Sequence, residues 1–159
     1  MERKTEVAVF GGGCFWCTEA VFEGLRDVLS VVPGYAGGEK ENPTYEQISS
    51  GKTGHTEVIR IEFDPHQTSY KDLLTVFFAT HDPTTPNRQG ADIGTQYRSI
   101  ILYTTKQQKQ VAEVYIKSLN ESLSKEGKSV VTEVKPLTKF FEAEDYHKDY
   151  FATHSDQAY

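Results

Sequence analysis

The sequence has little of several residues that mark whole classes of protein. Its 159 residues include only two cysteines, one tryptophan and one methionine. Two cysteines cannot form the multi-disulfide framework of a small secreted domain. No run of apolar residues approaches the ~20 that a helix needs to span a bilayer. The charged N-terminal residues lead directly into an apolar segment, so we expect no signal peptide.

Positive charge is also scarce. The formal net charge is −6 and the sequence pI is about 5.4, which argues against a nucleic acid or an anionic membrane surface as partner. The length fits one domain over residues 1–159 with a core of its own. We therefore expect a cytoplasmic protein in a reducing compartment, where its cysteines serve chemistry rather than cross-linking.

The apolar pattern alternates between strand and helix periodicity, and the mixed order of the elements predicts the fold class. This class is α+β: a two-layer sandwich of helices packed on a mixed or antiparallel sheet, with a ferredoxin-like core. Residues 81–96 lack periodicity, and so long a loop is usually functional or disordered. The predicted strands are residues 6–10, 29–35, 55–63, 98–103 and 130–134, and the predicted helices are 14–25, 45–50, 69–80 and 106–125.

Helical spacing predicts which side chains face the core. In the first helix this set is Phe15, Thr18, Phe22 and Leu25; in the third it is Leu73, Leu74 and Phe77; in the last it is Val111, either Val114 or Tyr115, Leu119 and Leu123. Glu19 and Glu23 are expected on the solvated face of the first helix. Ser69 is expected to cap the third helix.

Both cysteines and the tryptophan lie in residues 11–17 (GGGCFWC), between the first strand and the first helix. If the helix starts at Cys14, its dipole and free amides lower the thiol pKa and favour the nucleophilic thiolate. Cys17 is three residues further along the same helical face, within reach of a disulfide with Cys14. The alternative is that both cysteines simply pack in the core.

The strand at residues 55–63 places a carboxyl on its apolar face. Glu57 alternates in phase with Ile59, Ile61 and Phe63. Burial would raise the pKa of Glu57 and keep it protonated near neutral pH, as a general acid requires. Equally, the side chain at this strand end could bend into water, and the pattern favours neither interpretation.

Aromatic residues near these groups could form a pocket. Phe15 and Trp16 could provide a wall for a methyl or thioether group, and the phenols of Tyr45 and Tyr97 could bind a polar oxygen. The alternative for each is ordinary packing. Asp92 is more typical of a solvated turn.

The remaining histidines and Arg88 do not indicate a second functional site. Arg88 fits a solvated turn, and His81 and His147 are interpreted as structural. No second cysteine pair or closely spaced histidine pair completes a zinc site, so we expect no bound metal.

These residues resemble the A-type peptide methionine sulfoxide reductases. The central match is residues 12–19 (GGCFWCTE), which resembles the active-site signature of that family. Further ordered blocks agree, so the resemblance covers about residues 6–151. The blocks are residues 34–38 (GYAGG), 43–46 (PTYE), 50–57 (SGKTGHTE), 81–84 (HDPT), 87–99 (NRQGADIGTQYRS) and 143–147 (AEDYH).

The resemblance implies reduction of methionine S-sulfoxide, free or in proteins, as repair of oxidative damage. It implies that Cys14 is the nucleophile and that Glu57 protonates the departing oxygen. Tyr45 and Tyr97 would bind that oxygen with help from Asp92. The ε-methyl group of the substrate would lie against Phe15 and Trp16.

Recycling is where the sequence departs from part of the family. Many members hold a resolving cysteine in a C-terminal tail, and this tail has none. We expect Cys17 to resolve a Cys14 sulfenic acid as a disulfide, which an external dithiol such as thioredoxin would reduce. No bound cofactor is implied, and we expect a monomer. The alternatives are a general dithiol oxidoreductase and a non-catalytic module that binds methionine through Trp16.

Overall fold

A computed structural model describes residues 5–38, 43–50, 53–90 and 92–144. Strands and helices alternate along the chain much as the apolar pattern predicts. The strands are β1 (Glu6–Gly11), β2 (Val28–Ala36), β3 (Thr56–Phe63), β4 (Arg88–Gln89), β5 (Asp92–Ile93), β6 (Ile100–Tyr103), β7 (Glu133–Pro136) and β8 (Phe140–Glu142). The helices are α1 (Phe15–Glu23), α2 (Tyr45–Ser49), α3 (Tyr70–Thr80) and α4 (Lys106–Leu123), and 3-10 turns occupy Thr95–Tyr97 and Ser124–Glu126.

Six strands form one sheet in the order β7-β6-β1-β3-β2-β8. Only the β6–β7 pair in this sheet is parallel. The central four strands follow the split arrangement in which β3 separates β1 from β2, and β1 separates β3 from β6. This is the strand order of a ferredoxin-like fold, so the predicted α+β class with helices on a mixed sheet is confirmed.

Local capping explains why the helices begin where they do. The Ser69 hydroxyl accepts the amide of Asp72, whose carboxylate in turn accepts the amide of Ser69, so α3 begins with a complete capping box. Thr105 caps α4 by accepting the Gln108 amide. At the other end of α4, Gly127 ends the following turn in a left-handed conformation with φ 72°.

The core lies on both faces of the sheet, and its larger part is under the helices. That part joins the inward side chains of α1 and α3 to the alternating residues of β3, including Ile59, Ile61 and Phe63. The opposite face carries a smaller cluster around Val9, Val58 and Leu102. The alternation of β3 therefore places Glu57 on the helix-covered face, as predicted.

One prediction about helix faces is corrected, and one alternative that the sequence left open is decided. Glu19 is 2% exposed and not solvated. Phe15, Thr18, Glu19 and Phe22 follow the spacing of one helical stripe, so position along α1 decides burial and overrides the residue's charge. In α4, Val114 is 69% exposed, and Tyr115 is the residue that packs inward.

The last predicted strand is displaced. It begins at Glu133 rather than at residue 130, because the Val131 amide donates to the carbonyl of Pro83 at 2.8 Å and so joins the long loop. Within that loop β4 and β5 form a two-residue antiparallel ribbon. Among the described residues, no helix is both long enough and apolar enough to cross a membrane.

Candidate active site

The Cys14 thiol lies at the start of α1. Cys14 is the N-cap residue, with extended backbone (φ −66°, ψ 130°), and it is 5% exposed. Its carbonyl accepts the Cys17 amide at 3.2 Å and the Thr18 hydroxyl at 3.2 Å, which fixes the first helical turn. The helix therefore starts where the sequence predicts, directly after Cys14.

The Glu57 side chain, at the start of β3, contacts the start of α1. Its Oε1 accepts a hydrogen bond from the Phe15 amide at 3.2 Å, and the side chain is 1% exposed. Burial raises its pKa to about 7, although the hydrogen bonds from the Phe15 amide and the Cys14 side chain lower it. The interpretation of Glu57 as a solvated strand end is therefore wrong.

The second oxygen of this carboxyl is also buried. Glu57 Oε2 is buried, and no donor among the described residues makes a full hydrogen bond to it. A buried carboxyl oxygen without a partner is energetically unfavourable, so native structures usually explain it by function or by water. With a pKa near neutrality, this group can carry a proton and donate it to an incoming oxygen.

Tyr97, Asp92 and Tyr45 converge on the same place. Burial raises the pKa of Tyr97, and the nearby Glu57, Tyr45, Asp92 and Cys14 raise it further. The Tyr97 phenol is therefore held in its protonated, hydrogen-bond-donating form. Asp92 also contributes to raising the pKa of Glu57.

An aromatic wall of Phe15, Trp16, Tyr45 and Tyr35 forms next to Cys14 in the sequence. Phe15 is fully buried, and its ring lies 6.3 Å from each of the rings of Trp16 and Tyr45. Trp16 and Tyr45 stack 6.0 Å apart at 25°. Tyr35 closes the group from β2, 5.7 Å from Phe15. Such a surface suits a small apolar group beside a nucleophile.

Cys17 is the third residue of α1, within its first turn, and is a free, half-buried thiol. Burial raises its pKa, and the negative charges of Asp92 and Glu57 raise it further. Cys17 therefore lies close enough to Asp92 and Glu57 for their charges to act on its thiol.

The glycine-rich turn is pressed against three other elements. A side chain at Gly12 would meet the His81 ring at 2.9 Å, and one at Gly13 would meet Gln89 at 3.1 Å. Gly13 also has a positive φ of 93°, and its amide donates to the Tyr97 carbonyl at 3.2 Å. These contacts hold the turn, and therefore Cys14, in place.

The remaining candidates from the sequence lie away from the thiol chemistry. The two His81 ring nitrogens bond the Phe77 carbonyl and the Ser99 hydroxyl, each at 2.7 Å, so His81 supports the fold. Arg88 is exposed and bonds the Gly90 carbonyl. His147 lies outside the described residues. Within those residues, no group of three or more His, Cys, Asp or Glu side chains could hold a metal ion.

Sequence reasoning gave no role to Glu144. Its carboxylate accepts a hydrogen bond from the Tyr35 phenol and another from the Tyr45 amide, at the back of the aromatic wall. No periodicity or spacing marks this residue. The one available signal was the resemblance of residues 143–147 to the family pattern.

A thiol at a helix start, facing a buried acid that is protonated near neutral pH, can attack an electrophile while protonating its leaving oxygen. Together with the ferredoxin-like fold, this pairing defines the protein as a thiol-dependent oxidoreductase.

Comparison with known proteins identifies the family within that class. The family model for peptide methionine sulfoxide reductase matches residues 6–159. Peptide methionine sulfoxide reductase MsrA of Sulfolobus acidocaldarius is 56% identical over 154 residues, which cover 97% of this chain and 86% of that protein. The chain belongs to the peptide methionine sulfoxide reductase family, and the predicted activity, that of a peptide-methionine (S)-S-oxide reductase, is confirmed at this level.

Solved structures agree. Methionine sulfoxide reductase A of Corynebacterium diphtheriae superposes with a TM-score of 0.95 at 34% identity, covering 99% of this chain and 79% of that one. Mxr1 from Saccharomyces cerevisiae in reduced form gives 0.88 at 29% identity, covering 98% and 89%. Mxr1 in complex with Trx2 gives 0.62 at 21% identity, covering 92% and 85%, which is a likeness of fold.

Proposed function

We propose that Cys14 and Glu57 together carry out the reduction of methionine S-sulfoxide, free or in proteins. The observation that carries the proposal is the shared location of the two groups: the thiol starts α1, and the acid accepts the amide of the next residue, Phe15, at 3.2 Å. A sulfoxide requires both groups, because its sulfur is a weak electrophile and its oxygen leaves poorly unless it is protonated.

In the first step the Cys14 thiolate attacks the sulfoxide sulfur while Glu57 gives its proton to the sulfoxide oxygen. This attack forms a bond between Cys14 Sγ and the substrate sulfur, while the sulfur–oxygen bond breaks and the oxygen, protonated by Glu57 and by solvent, leaves as water. A water molecule then attacks Cys14 Sγ, breaks the bond between the two sulfurs and leaves its oxygen on Cys14. Methionine leaves with its sulfur reduced by two electrons, and Cys14 is oxidised by two electrons to a sulfenic acid. Glu57 regains a proton from solvent.

The surrounding residues bind and orient the substrate. Tyr45 and Tyr97 donate hydrogen bonds to the sulfoxide oxygen, and Asp92 organises this polar side of the site. The electrostatic coupling of Tyr97 to Glu57, Tyr45 and Asp92 supports this grouping. Phe15 and Trp16 contact the ε-methyl group of the substrate, on the apolar side that their rings form.

Cys17 resolves the oxidised enzyme. Its thiolate attacks the sulfur of the Cys14 sulfenic acid, a disulfide forms, and the hydroxyl leaves as water after protonation. The placement of both thiols on the first turn of α1 supports this step. A dithiol of the thioredoxin type then reduces the Cys14–Cys17 disulfide by exchange.

The proposal also includes wider assignments. The thiols carry both electrons, so the proposed co-substrate is the external dithiol, and no metal or bound cofactor takes part. We assign residues 1–159 to a single catalytic domain that acts as a cytoplasmic monomer and repairs oxidised methionine. Among partners, the complex of Mxr1 with Trx2 supports thioredoxin.

The test is a single turnover on the two separated epimers of a methionine sulfoxide peptide, with free thiols counted before and after. We expect the S epimer alone to be reduced, with loss of two thiols per chain. Loss of one thiol would retain Cys14 chemistry and contradict resolution by Cys17. Disulfide reduction without any sulfoxide reduction would instead identify a general dithiol oxidoreductase.

A further inference from the structure

The Glu144 carboxylate joins two parts of the aromatic wall. Its Oε1 accepts a hydrogen bond from the Tyr35 phenol at 3.1 Å, and its Oε2 accepts one from the Tyr45 backbone amide at 3.3 Å. Tyr35 lies in β2, and Tyr45 is the first residue of α2. One side chain therefore links the short helix to the sheet.

Glu144 has a defined position because the sheet holds the chain up to it. β8 pairs with β2 through Tyr35 opposite Phe141, and Ala143 donates its amide to the Pro33 carbonyl at 2.9 Å. Ala143 is 4% exposed. The carboxylate thus extends from a fixed backbone, 109 residues from Tyr35 and 99 from Tyr45 in the sequence.

The helix that carries Tyr45 needs such an attachment. α2 has five residues, far below the length at which a helix is stable in water by itself. Its capping box uses the amides of Thr44 and Gln47, and Glu144 accepts the amide of Tyr45. The Tyr45 ring then stacks on Trp16, 6.0 Å away.

The hydrogen bond between Tyr35 and Glu144 also connects α2 to β3, the strand that carries Glu57. Tyr35 pairs directly with Glu57 across the β2–β3 ladder. Partners in such a ladder project to one face of a sheet, so Tyr35 and Glu57 lie side by side under α1. A carboxylate that binds both Tyr35 and the Tyr45 amide therefore sets the separation between the acid's strand and the helix bearing Tyr45.

We propose that Glu144 is a positioning residue for the reaction. It holds α2 so that the Tyr45 ring stays stacked on Trp16, with its phenol placed to donate to the sulfoxide oxygen. The inference rests on the role proposed above for Tyr45. Glu144 acts through the Tyr45 backbone and does not contact the reacting atoms.

The experiment compares Glu144→Ala and Glu144→Gln with the matched control Glu142→Gln. Glu142 lies in the same segment, but its side chain is 51% exposed and meets Arg60 at 3.7 Å on the surface. Trp16 is the only tryptophan in the chain, so intrinsic fluorescence reports its stacking with Tyr45. Single-turnover rate, KM and the fluorescence spectrum are measured for each variant.

We expect Glu144→Ala to slow single turnover by about tenfold, the loss expected for one hydrogen bond to a charged group. KM should change less, and the Trp16 emission should shift. Glu144→Gln keeps one accepting oxygen, so its turnover rate and emission should lie between those of Glu144→Ala and of the unchanged protein. This variant also allows the test to be made if Glu144→Ala does not fold. Glu142→Gln should match the unchanged protein in rate and spectrum.

A double mutant with Tyr45→Phe separates this inference from the proposed function. If Glu144 acts through Tyr45, its removal in the Tyr45→Phe background should slow the reaction by less than twofold. The inference would be overturned if the rate losses of Glu144→Ala and Tyr45→Phe were fully additive. It would also be overturned if Glu144→Ala left the Trp16 emission unchanged. If Tyr45→Phe itself has the unchanged rate, Tyr45 loses its proposed role, while the emission shift would still support the structural link.

Discussion

Glu57 and Phe15 are 42 positions apart in the chain and are joined by one hydrogen bond, from the Phe15 amide to Glu57 Oε1 at 3.2 Å. This bond fixes a carboxyl of β3 against the first turn of α1, directly beside Cys14. It uses one carboxyl oxygen, and the other is buried. The proposed nucleophile and the proposed acid are therefore positioned by the same short segment.

Replacement of the acid should remove most of the activity. Glu57→Gln keeps the shape and the bond from Phe15 but cannot deliver a proton, so we expect single turnover to slow by about 10²-fold or more. In the unchanged protein, turnover should fall as pH rises through about 7, because Glu57 loses its proton there. Stopped-flow measurement from pH 5.5 to 9 checks both effects. Glu57→Gln at near-normal rate would exclude Glu57 as the acid.

The same carboxyl should make stability depend on pH. The pKa of Glu57 is about 7 in the folded chain and about 4.3 when unfolded, so between these values the folded state binds more protons. Stability therefore decreases as pH rises from 4.3 to 7, by about 2–3 kcal/mol from this group. Urea unfolding of the unchanged protein and of Glu57→Gln at pH 5 and pH 8 measures it. The Gln variant should gain relative stability at pH 8, and an equal difference at both pH values would contradict the assignment.

The sequence was informative where local chemistry and periodicity agree. The start of α1 at Cys14, the Ser69 cap of α3 and the alternation of β3 all depend on residues within a few positions of each other. The burial of Glu57 follows from the same alternation. Even so, the choice between a buried acid and a solvated strand end needed the structure, because helices from elsewhere in the chain cover that face.

Features set by distant segments were not predictable in this way. Glu19 was expected in water because of its charge, whereas its position on the stripe of α1 buries it. Glu144 acts on residues about 100 positions away, and no local pattern shows that relation. The strand β7 begins late because Val131 bonds to the long loop, and this contact also has no counterpart in the local sequence.

The rates of sulfoxide reduction and of disulfide formation should depend on pH in opposite directions. Burial and the charges of Asp92 and Glu57 raise the pKa of the Cys17 thiol, so its thiolate fraction grows as pH rises beyond neutrality. Disulfide formation should therefore accelerate with pH, whereas sulfoxide reduction slows above about 7 as Glu57 loses its proton. Quenched-flow thiol counting between pH 6.5 and 9 resolves the first and second thiol lost.

The Cys17→Ser variant provides the control for that measurement. It should lose one thiol per turnover and stop at the sulfenic acid, which a dimedone label detects by mass spectrometry. Cys14→Ser should lose no thiol at all. A sulfenic acid that dimedone still labels after the turnover in the unchanged protein would show that Cys17 does not resolve Cys14.

The contact between Gly12 and His81 should control the position of the nucleophile. A Cβ at Gly12 would lie 2.9 Å from the His81 ring, which two 2.7 Å hydrogen bonds hold in place. Because the ring cannot move aside, Gly12→Ala must shift the turn that carries Cys14. We expect a loss of about 1–3 kcal/mol in stability from overpacking. We also expect turnover to slow by up to about 10²-fold, since a displacement of about 1 Å misaligns the reacting groups.

Gly24→Ala is the matched control for Gly12→Ala. Gly24 ends the same helix in a right-handed conformation (φ −75°, ψ −7°), and a Cβ there would meet its nearest neighbour at an ordinary 3.5 Å. That variant should keep its turnover rate and gain about 0.4–1 kcal/mol, because alanine restricts the unfolded chain. Urea unfolding and single-turnover rates, measured on both variants, test whether the turn is held against His81. If Gly12→Ala behaves like Gly24→Ala, the turn is not held against His81, and Cys14 must be positioned by the hydrogen bonds of α1 alone.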